Sequence, residues 1–287
     1  MKTVKIFLKA MRVQQWHKNV LVFAPLLFSG HIFDPALAGR SFIAFTAFCF
    51  AASSVYLFND ILDIESDRQH PEKRKRAIAA GELSVKTAIV LGLLLSGLAL
   101  WQSSYLPLKF LLALLIYFVL NFLYSWKLKH VAVLEVLLVA SMYLLRVIAG
   151  TKAIGIASSS WLVLCTFFLA LFLVLGKRRT ELVAVHGSDS REVLKLYNLD
   201  FIEHALSISI MMSIATYALY TVVVAKPYLL YSTFFVVFVL LRYMFLIYKE
   251  ANCEKPEELL LKDKQIFFTA LLWVIYVAFV YYGLPGI

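Results

Sequence analysis

Cysteine is scarce in this chain, three in 287 residues, and Cys49, Cys165 and Cys253 lie far apart with no C-x-x-C among them. With no paired histidines either, the sequence offers neither a zinc site nor a disulfide framework, and the thiols read as small buried hydrophobes. Ser-His-Asp and Cys-His arrangements are missing, which argues against a covalent hydrolase. No low-complexity stretch, long polar linker or tandem repeat appears, so residues 1–287 are expected to form one domain. Charged residues make up only 16% of the chain, whereas hydrophobic ones reach 62% and mean hydropathy is +0.81. Soluble domains average roughly 45–50% apolar residues, so the composition describes a membrane protein. The net charge of +10 then points to membrane phospholipid and phosphorylated substrates rather than to nucleic acid.

A hydrocarbon core about 30 Å thick takes roughly 20 helical residues to cross. The apolar runs predict an all-α, polytopic protein of nine transmembrane helices, at 19–33, 40–60, 86–104, 108–126, 131–150, 157–176, 204–225, 227–248 and 265–284. Residues 1–18, with a lysine about every fourth position at the start, read as an interfacial amphipathic segment rather than a cleaved leader, since no A-x-A-like site follows. On alternate sides of these spans, the segments 1–18, 64–87, 126–130, 177–203 and 249–264 hold 22 of the 28 Lys and Arg residues. That asymmetry puts the N-terminus in the cytoplasm, the C-terminus outside, and the loops 61–85 and 177–203 on the cytoplasmic face of the cell membrane. Arg146 and Arg242 fall within spans, where an ionisable group is costly unless it meets a cavity or a partner.

The stretch NDILDIESDRQHPEKRKRAIAAG occupies 59–81. At about 100° per residue, Asp60, Asp63 and Asp67 fall within about 60° of one another on a helix, with Asn59 at the edge of that face. Three stacked like charges repel. A hard cation such as Mg²⁺ relieves the repulsion, because it is held by one or two carboxylates while phosphate oxygens and waters complete its shell. The cationic block that follows, Arg68, Lys73, Arg74, Lys75 and Arg76, suits phosphate oxygens. Carboxylates beside cations describe a metal-bridged diphosphate site, with Asn59, Asp60, Asp63 and Asp67 as candidate metal ligands.

N-D-x-x-D-x-x-x-D followed by basic residues and a closing glycine resembles the first aspartate-rich motif of the UbiA superfamily of intramembrane prenyltransferases. Within that superfamily RVQQWHKNVLVFAPL (12–26), the 59–81 stretch, LYSWKLKHVAVLEVLL (123–138), LLRVIAG (144–150) and LGKRRTEL (175–182) look more like the decaprenyl-phosphate phosphoribosyltransferase branch. The resemblance covers essentially the whole chain and implies a nine-helix bundle. It also implies Mg²⁺-dependent transfer of 5-phosphoribosyl from phosphoribosyl diphosphate to a polyprenyl phosphate for cell-envelope pentose glycans, with Asp60, Asp63 and Asp67 catalytic. Val13 and Ala77 stand where the pattern usually has proline, and Glu135 where it has aspartate. GKRRTEL replaces the second aspartate-rich motif of the aromatic prenyltransferases.

That replacement has a physical reading. A phosphoribosyl donor and a phosphate acceptor bring more anionic charge than a prenyl diphosphate and a neutral aromatic, and more anion needs more protein cation. Arg12, Lys18, Lys127, Lys129, Lys177, Arg178 and Arg179 are the candidate phosphate ligands beside Arg68, Lys73, Arg74 and Arg76. Tyr124 and Ser125 are candidate donors to a phosphate or ribose hydroxyl. Glu135, just inside a span, is expected to orient Lys127, Lys129 or a ribose hydroxyl. A prenyltransferase with a prenyl diphosphate donor would use the same acidic motif. A transporter would instead place ionisable groups near the bilayer midplane, and here charge gathers at one face.

Overall fold

A computed structural model describes residues 2–157, 159–184, 192–224, 226, 228–249 and 262–283. Cys253 and positions 185–191 of the expected cytoplasmic loop lie outside the described residues. Among the described residues the fold is all-helical, and eight helices are long and apolar enough to cross a membrane. Two compact units divide the chain: Met1–Trp126 with Leu145–Ala157, and Lys127–Leu144 with Ser158–Ile287.

In the first unit the helices are α1 (Lys2–Ala10), α2 (Ala24–Phe28), α3 (Pro35–Leu62), α4 (Ile64–Gln69), α5 (Val85–Ser103) and α6 (Leu108–Trp126), with the later residues of α7 (Leu134–Ile154). Asp34 starts α3 by accepting hydrogen bonds from the amides of Ala36 and Leu37 at 2.9 and 3.1 Å, and Pro35 supplies a preset φ at the first position. α3 is buried along most of its length and lined by small residues, among them Ala44, Ala47, Ala51, Ala52, Ser53 and Ser54. Small side chains let helix backbones approach closely inside a membrane, where packing and polar contacts replace the hydrophobic drive. Accordingly α3 packs along α5, and Ser54 Oγ reaches the Gly92 carbonyl at 2.9 Å and Ser96 Oγ at 2.6 Å. Ser84 caps α5 by accepting from the Thr87 amide at 3.1 Å.

The segment expected as the first span, 19–33, is not one spanning helix. Val13–Phe23 is a 3₁₀ stretch, followed by the five-residue α2. Pro25 removes an amide donor in that run and Gly30 turns the chain at φ 78°. The 3₁₀ stretch is fastened to α3. Trp16 Nε1 donates to Ser53 Oγ at 2.9 Å, and Ser53 Oγ donates to the Met11 carbonyl at 2.8 Å. A Cβ on Gly150 would stand 2.1 Å from the Val22 carbonyl oxygen, so only glycine admits this backbone against α7.

The second unit contains the first residues of α7, then α8 (Ser160–Ala184), α9 (Leu199–Val223), α10 (Thr233–Lys249) and α11 (Lys264–Ala278), which continues as a π turn over Phe279–Gly283. Its core joins Val136, Phe172, Leu175, Ile202, Leu206, Ile210, Tyr243 and Ile247. Gly176 admits the Tyr243 ring, whose atoms lie 3.3 Å from where its Cβ would be. Asp263 caps α11 through the Ile266 amide at 2.9 Å. A hydrogen bond from Arg242, at 3.0 Å, holds the Asp263 carboxyl below the ordinary carboxylate range. That contact gives Arg242 the partner its position in a span calls for. Deeper in the unit, Tyr217 OH accepts from Trp273 Nε1 and meets Ser232 Oγ, both at 2.8 Å.

Candidate functional site

α3 ends just past Asp60. Asp63 is its C-cap at φ −97° and ψ 11°, and α4 starts at the next residue. The Asp63 amide still bonds to the Asn59 carbonyl at 2.9 Å, and the Asp67 amide to the Asp63 carbonyl at 2.8 Å. The helical rise therefore carries through with a break at Asp63, where the spacing of the aspartates predicts one unbroken helix. Asp60 and Asp67 are 4% and 2% exposed, while Glu65 is exposed on the other side.

Two buried carboxylates need a cation close by. Arg76 supplies it: its Nη1 donates to Asp60 Oδ1 at 3.0 Å and to Asp67 Oδ2 at 2.6 Å. Asp60 Oδ1 also pairs with Arg12 Nη2. Arg12 lies in the left-handed region at φ 50°, and its guanidinium stands 4.8 Å from the centre of the Tyr56 ring. Four groups of alternating sign thus meet at one place. Asn59 is held beside them, its Oδ1 lying 2.6 Å from Ser125 Oγ, which is also 2.8 Å from the Asn121 carbonyl. Ser125, expected as a donor to substrate, is a clamp on Asn59 in this structure.

The loop carrying Arg76 is shaped by its own residues. His70 Nδ1 accepts from the amides of Glu72 and Lys73 at 3.2 and 3.4 Å, Arg68 Nε reaches the Ala79 carbonyl at 3.4 Å, and Gly81 closes the loop at φ 73°. Arg68 and Arg74 are exposed and Lys18, Lys73 and Tyr124 half-buried, while Lys75 pairs with Glu72.

No group of three or more His, Cys, Asp or Glu side chains is placed to hold a metal ion among the described residues. The convergence is of two carboxylates, not the three the helical spacing predicts. One guanidinium nitrogen bonded to an oxygen of each carboxylate means that both already face a single cation. Both are hard donors, and two carboxylates completed by phosphate and water are the usual protein share of a magnesium shell. Asp60 and Asp67 therefore fit a divalent cation, on condition that Arg76 gives way.

Basic residues of the second unit are placed differently from expectation. Arg178 Nε and Nη2 donate to Glu135 Oε1 and Oε2, both at 2.7 Å, and Nη1 to Glu181 at 2.5 Å. The Arg178 side chain is 3% exposed and that of Glu135 0%. Arg179 donates to Glu203 at 2.8 Å and to the Ile247 carbonyl at 3.0 Å, with its guanidinium 3.6 Å from the Tyr248 ring centre. Both guanidinium groups are buried ion-pair members rather than open phosphate donors, because a charge removed from water requires its counter-charge in place. Glu135 correspondingly orients Arg178 rather than Lys127 or Lys129. Lys127 is exposed, and Lys129 and Lys177 are half-buried.

Sequence reasoning did not single out Asn19 or Tyr117. Arg146 Nε donates to Asn19 Oδ1 at 2.7 Å and Nη2 to Tyr117 OH at 3.2 Å, with the guanidinium 5.0 Å from the Tyr117 ring centre, and Asn19 Nδ2 reaches Cys49 Sγ at 3.3 Å. The available signal was Arg146 itself, a cation inside a span that must have partners.

An apolar helical chain with eight candidate spans, carrying a buried acid and arginine cluster at the end of one of them, is a multi-pass membrane protein with a site built for charge. The sequence profile of the UbiA prenyltransferase family matches residues 20–272, and the chain belongs to that family. It is 33% identical to the decaprenyl-phosphate phosphoribosyltransferase of Corynebacterium glutamicum over 292 aligned residues, covering 97% of this chain and 87% of the relative. It is 34% identical to the protein of that name from Mycobacterium tuberculosis, covering 93% and 91%. Among solved structures, a UbiA homologue from Archaeoglobus fulgidus bound to GPP and Mg²⁺ superposes with a TM-score of 0.74 at 20% identity, covering 96% of this chain and 99% of the other, which establishes the shared fold.

Proposed function

We propose that this chain transfers the 5-phosphoribosyl group of phosphoribosyl diphosphate to a polyprenyl phosphate at the cytoplasmic face of the cell membrane, releasing pyrophosphate. The product would be a lipid-linked pentose phosphate for envelope glycan synthesis. The observation that carries the reading is the convergence of Asp60 and Asp67 on one cation between them, in a chain whose relatives along nearly its full length are named for this chemistry.

A bound divalent ion would supply Lewis-acid stabilisation of the departing pyrophosphate. The protein's own groups do the rest. Asp60 and Asp67 provide the hard oxygen donors, and the Asn59–Ser125 contact keeps the end of α3 in register with α6. Arg12 and Arg76 present planar donor forks to diphosphate oxygens. Lys18, Arg68, Lys73 and Arg74 are the cations proposed for the remaining phosphates. The acceptor phosphate oxygen is already anionic. It attacks C1 of the ribose as the C1–O bond to pyrophosphate breaks, so configuration inverts and no general base is required. Most of the rate gain would come from positioning and electrostatic stabilisation.

The test is labelled phosphoribosyl diphosphate incubated with the purified protein and polyprenyl phosphates of several lengths, with and without a chelator. A chelator-sensitive labelled lipid is the expected result. Consumption of a prenyl diphosphate and an aromatic acid instead, or substrate uptake into vesicles with no covalent product, refutes the proposal.

A further inference from the structure

We infer that Arg76, seconded by Arg12, occupies the metal's place between Asp60 and Asp67 and leaves it only for an incoming diphosphate, so that the site takes metal and anion together and discriminates against metal alone. This rests on the reading of the cluster as a divalent-metal diphosphate site.

The argument starts from charge. Asp60 and Asp67 carry two negative charges, Arg12 and Arg76 two positive ones, and the four side chains are 5%, 2%, 18% and 28% exposed. The cluster is neutral as it stands. A divalent ion entering alone would have to displace Nη1 of Arg76, which lies within 3.0 Å of both carboxylates. Two guanidinium groups would then be stranded beside a doubly charged ion in a largely buried place, where uncompensated charge is costly. A diphosphate removes that penalty. Its oxygens complete the metal's shell and accept the two arginine forks that the carboxylates release. Arg12 and Arg76 therefore exchange one set of acidic oxygens for another, and neither they nor the metal is left without counter-charge. Reciprocity follows: whatever factor the anion adds to metal affinity, the metal adds to anion affinity.

The experiment is equilibrium dialysis of manganese against the full-length protein in detergent, with and without phosphoribosyl diphosphate and with no lipid acceptor present. Wild type is expected to bind manganese at least about 10-fold more tightly when the diphosphate is present. Arg76→Gln should bind manganese alone about 10-fold more tightly than wild type and lose most of the coupling, whereas Arg76→Lys, which keeps the charge, should retain coupling. Thermal melting of each variant verifies that it is folded, and Arg12→Gln, with a smaller shift in the same direction, gives an independent reading if Arg76→Gln does not fold. Equal manganese affinity of wild type with and without diphosphate overturns the inference while leaving a metal site in place. So does a folded Arg76→Gln that binds manganese no better than wild type. No manganese binding in any condition overturns the underlying reading as well.

Discussion

Replacing Glu135 by Gln separates a structural arginine from a substrate ligand. In wild type two parallel hydrogen bonds of 2.7 Å join Glu135 to Arg178, with the side chains 0% and 3% exposed. The variant keeps the shape of the side chain but removes its charge and turns one acceptor into a donor facing the guanidinium. Breaking a buried pair from one side costs about 3–5 kcal/mol, since the remaining charge is left uncompensated. Glu181, also bonded to Arg178 but 22% exposed, recovers a part of that, so the lower end of the range applies. At about 2–4 °C per kcal/mol for a chain approaching this size, the midpoint of thermal unfolding should fall by roughly 6–12 °C. The assay is the melting of detergent-solubilised protein at a fixed scan rate, paired with KM for the proposed donor, phosphoribosyl diphosphate, on the folded fraction, which should move less than about 3-fold. The double variant Glu135→Leu/Arg178→Met should recover most of the lost stability, because an apolar pair of similar volume has no desolvation penalty. An unchanged melting midpoint in Glu135→Gln, together with a large rise in KM, would mean that Arg178 serves substrate phosphate and that the reasoning is wrong.

Asp60→Asn should leave the protein inserted and folded while lowering metal-dependent transfer by 100-fold or more, about 3 kcal/mol of barrier, as read by initial rates at saturating magnesium. Gly150→Ala places a methyl group 2.1 Å from the Val22 carbonyl oxygen; the backbone must shift, at a cost of about 1–3 kcal/mol, visible as a lower melting midpoint. Ser125→Ala removes the contact with Asn59 and should cost about 1 kcal/mol of stability, with a fall in kcat larger than any change in KM if the hydroxyl acts through Asn59.

The helical class and the eight segments that qualify as spans were legible because apolar run length is a local property, and a run near 20 residues in this composition has one stable use. Helical periodicity likewise brings Asp60 and Asp67 to one side, but it does not register the break at Asp63, and two of the three expected carboxylates meet on one cation. The 3₁₀ winding of Val13–Phe23 within the expected first span was not legible, because hydropathy averages over a run and cannot register that Gly150 receives the Val22 backbone.

What the sequence by itself determined is therefore the solvent, the secondary structure and the chemical types that gather near the ends of the helices. Only the tertiary structure decided which cation meets which anion. Arg12 reaches Asp60 across 48 residues, Arg178 reaches Glu135 across 43, and Arg146 reaches Asn19 across 127. An arginine that binds phosphate and one that closes a buried ion pair have the same charge and the same preference for the cytoplasmic side. They differ in desolvation and in partner, and both of these depend on residues brought close by folding rather than by the order of the chain.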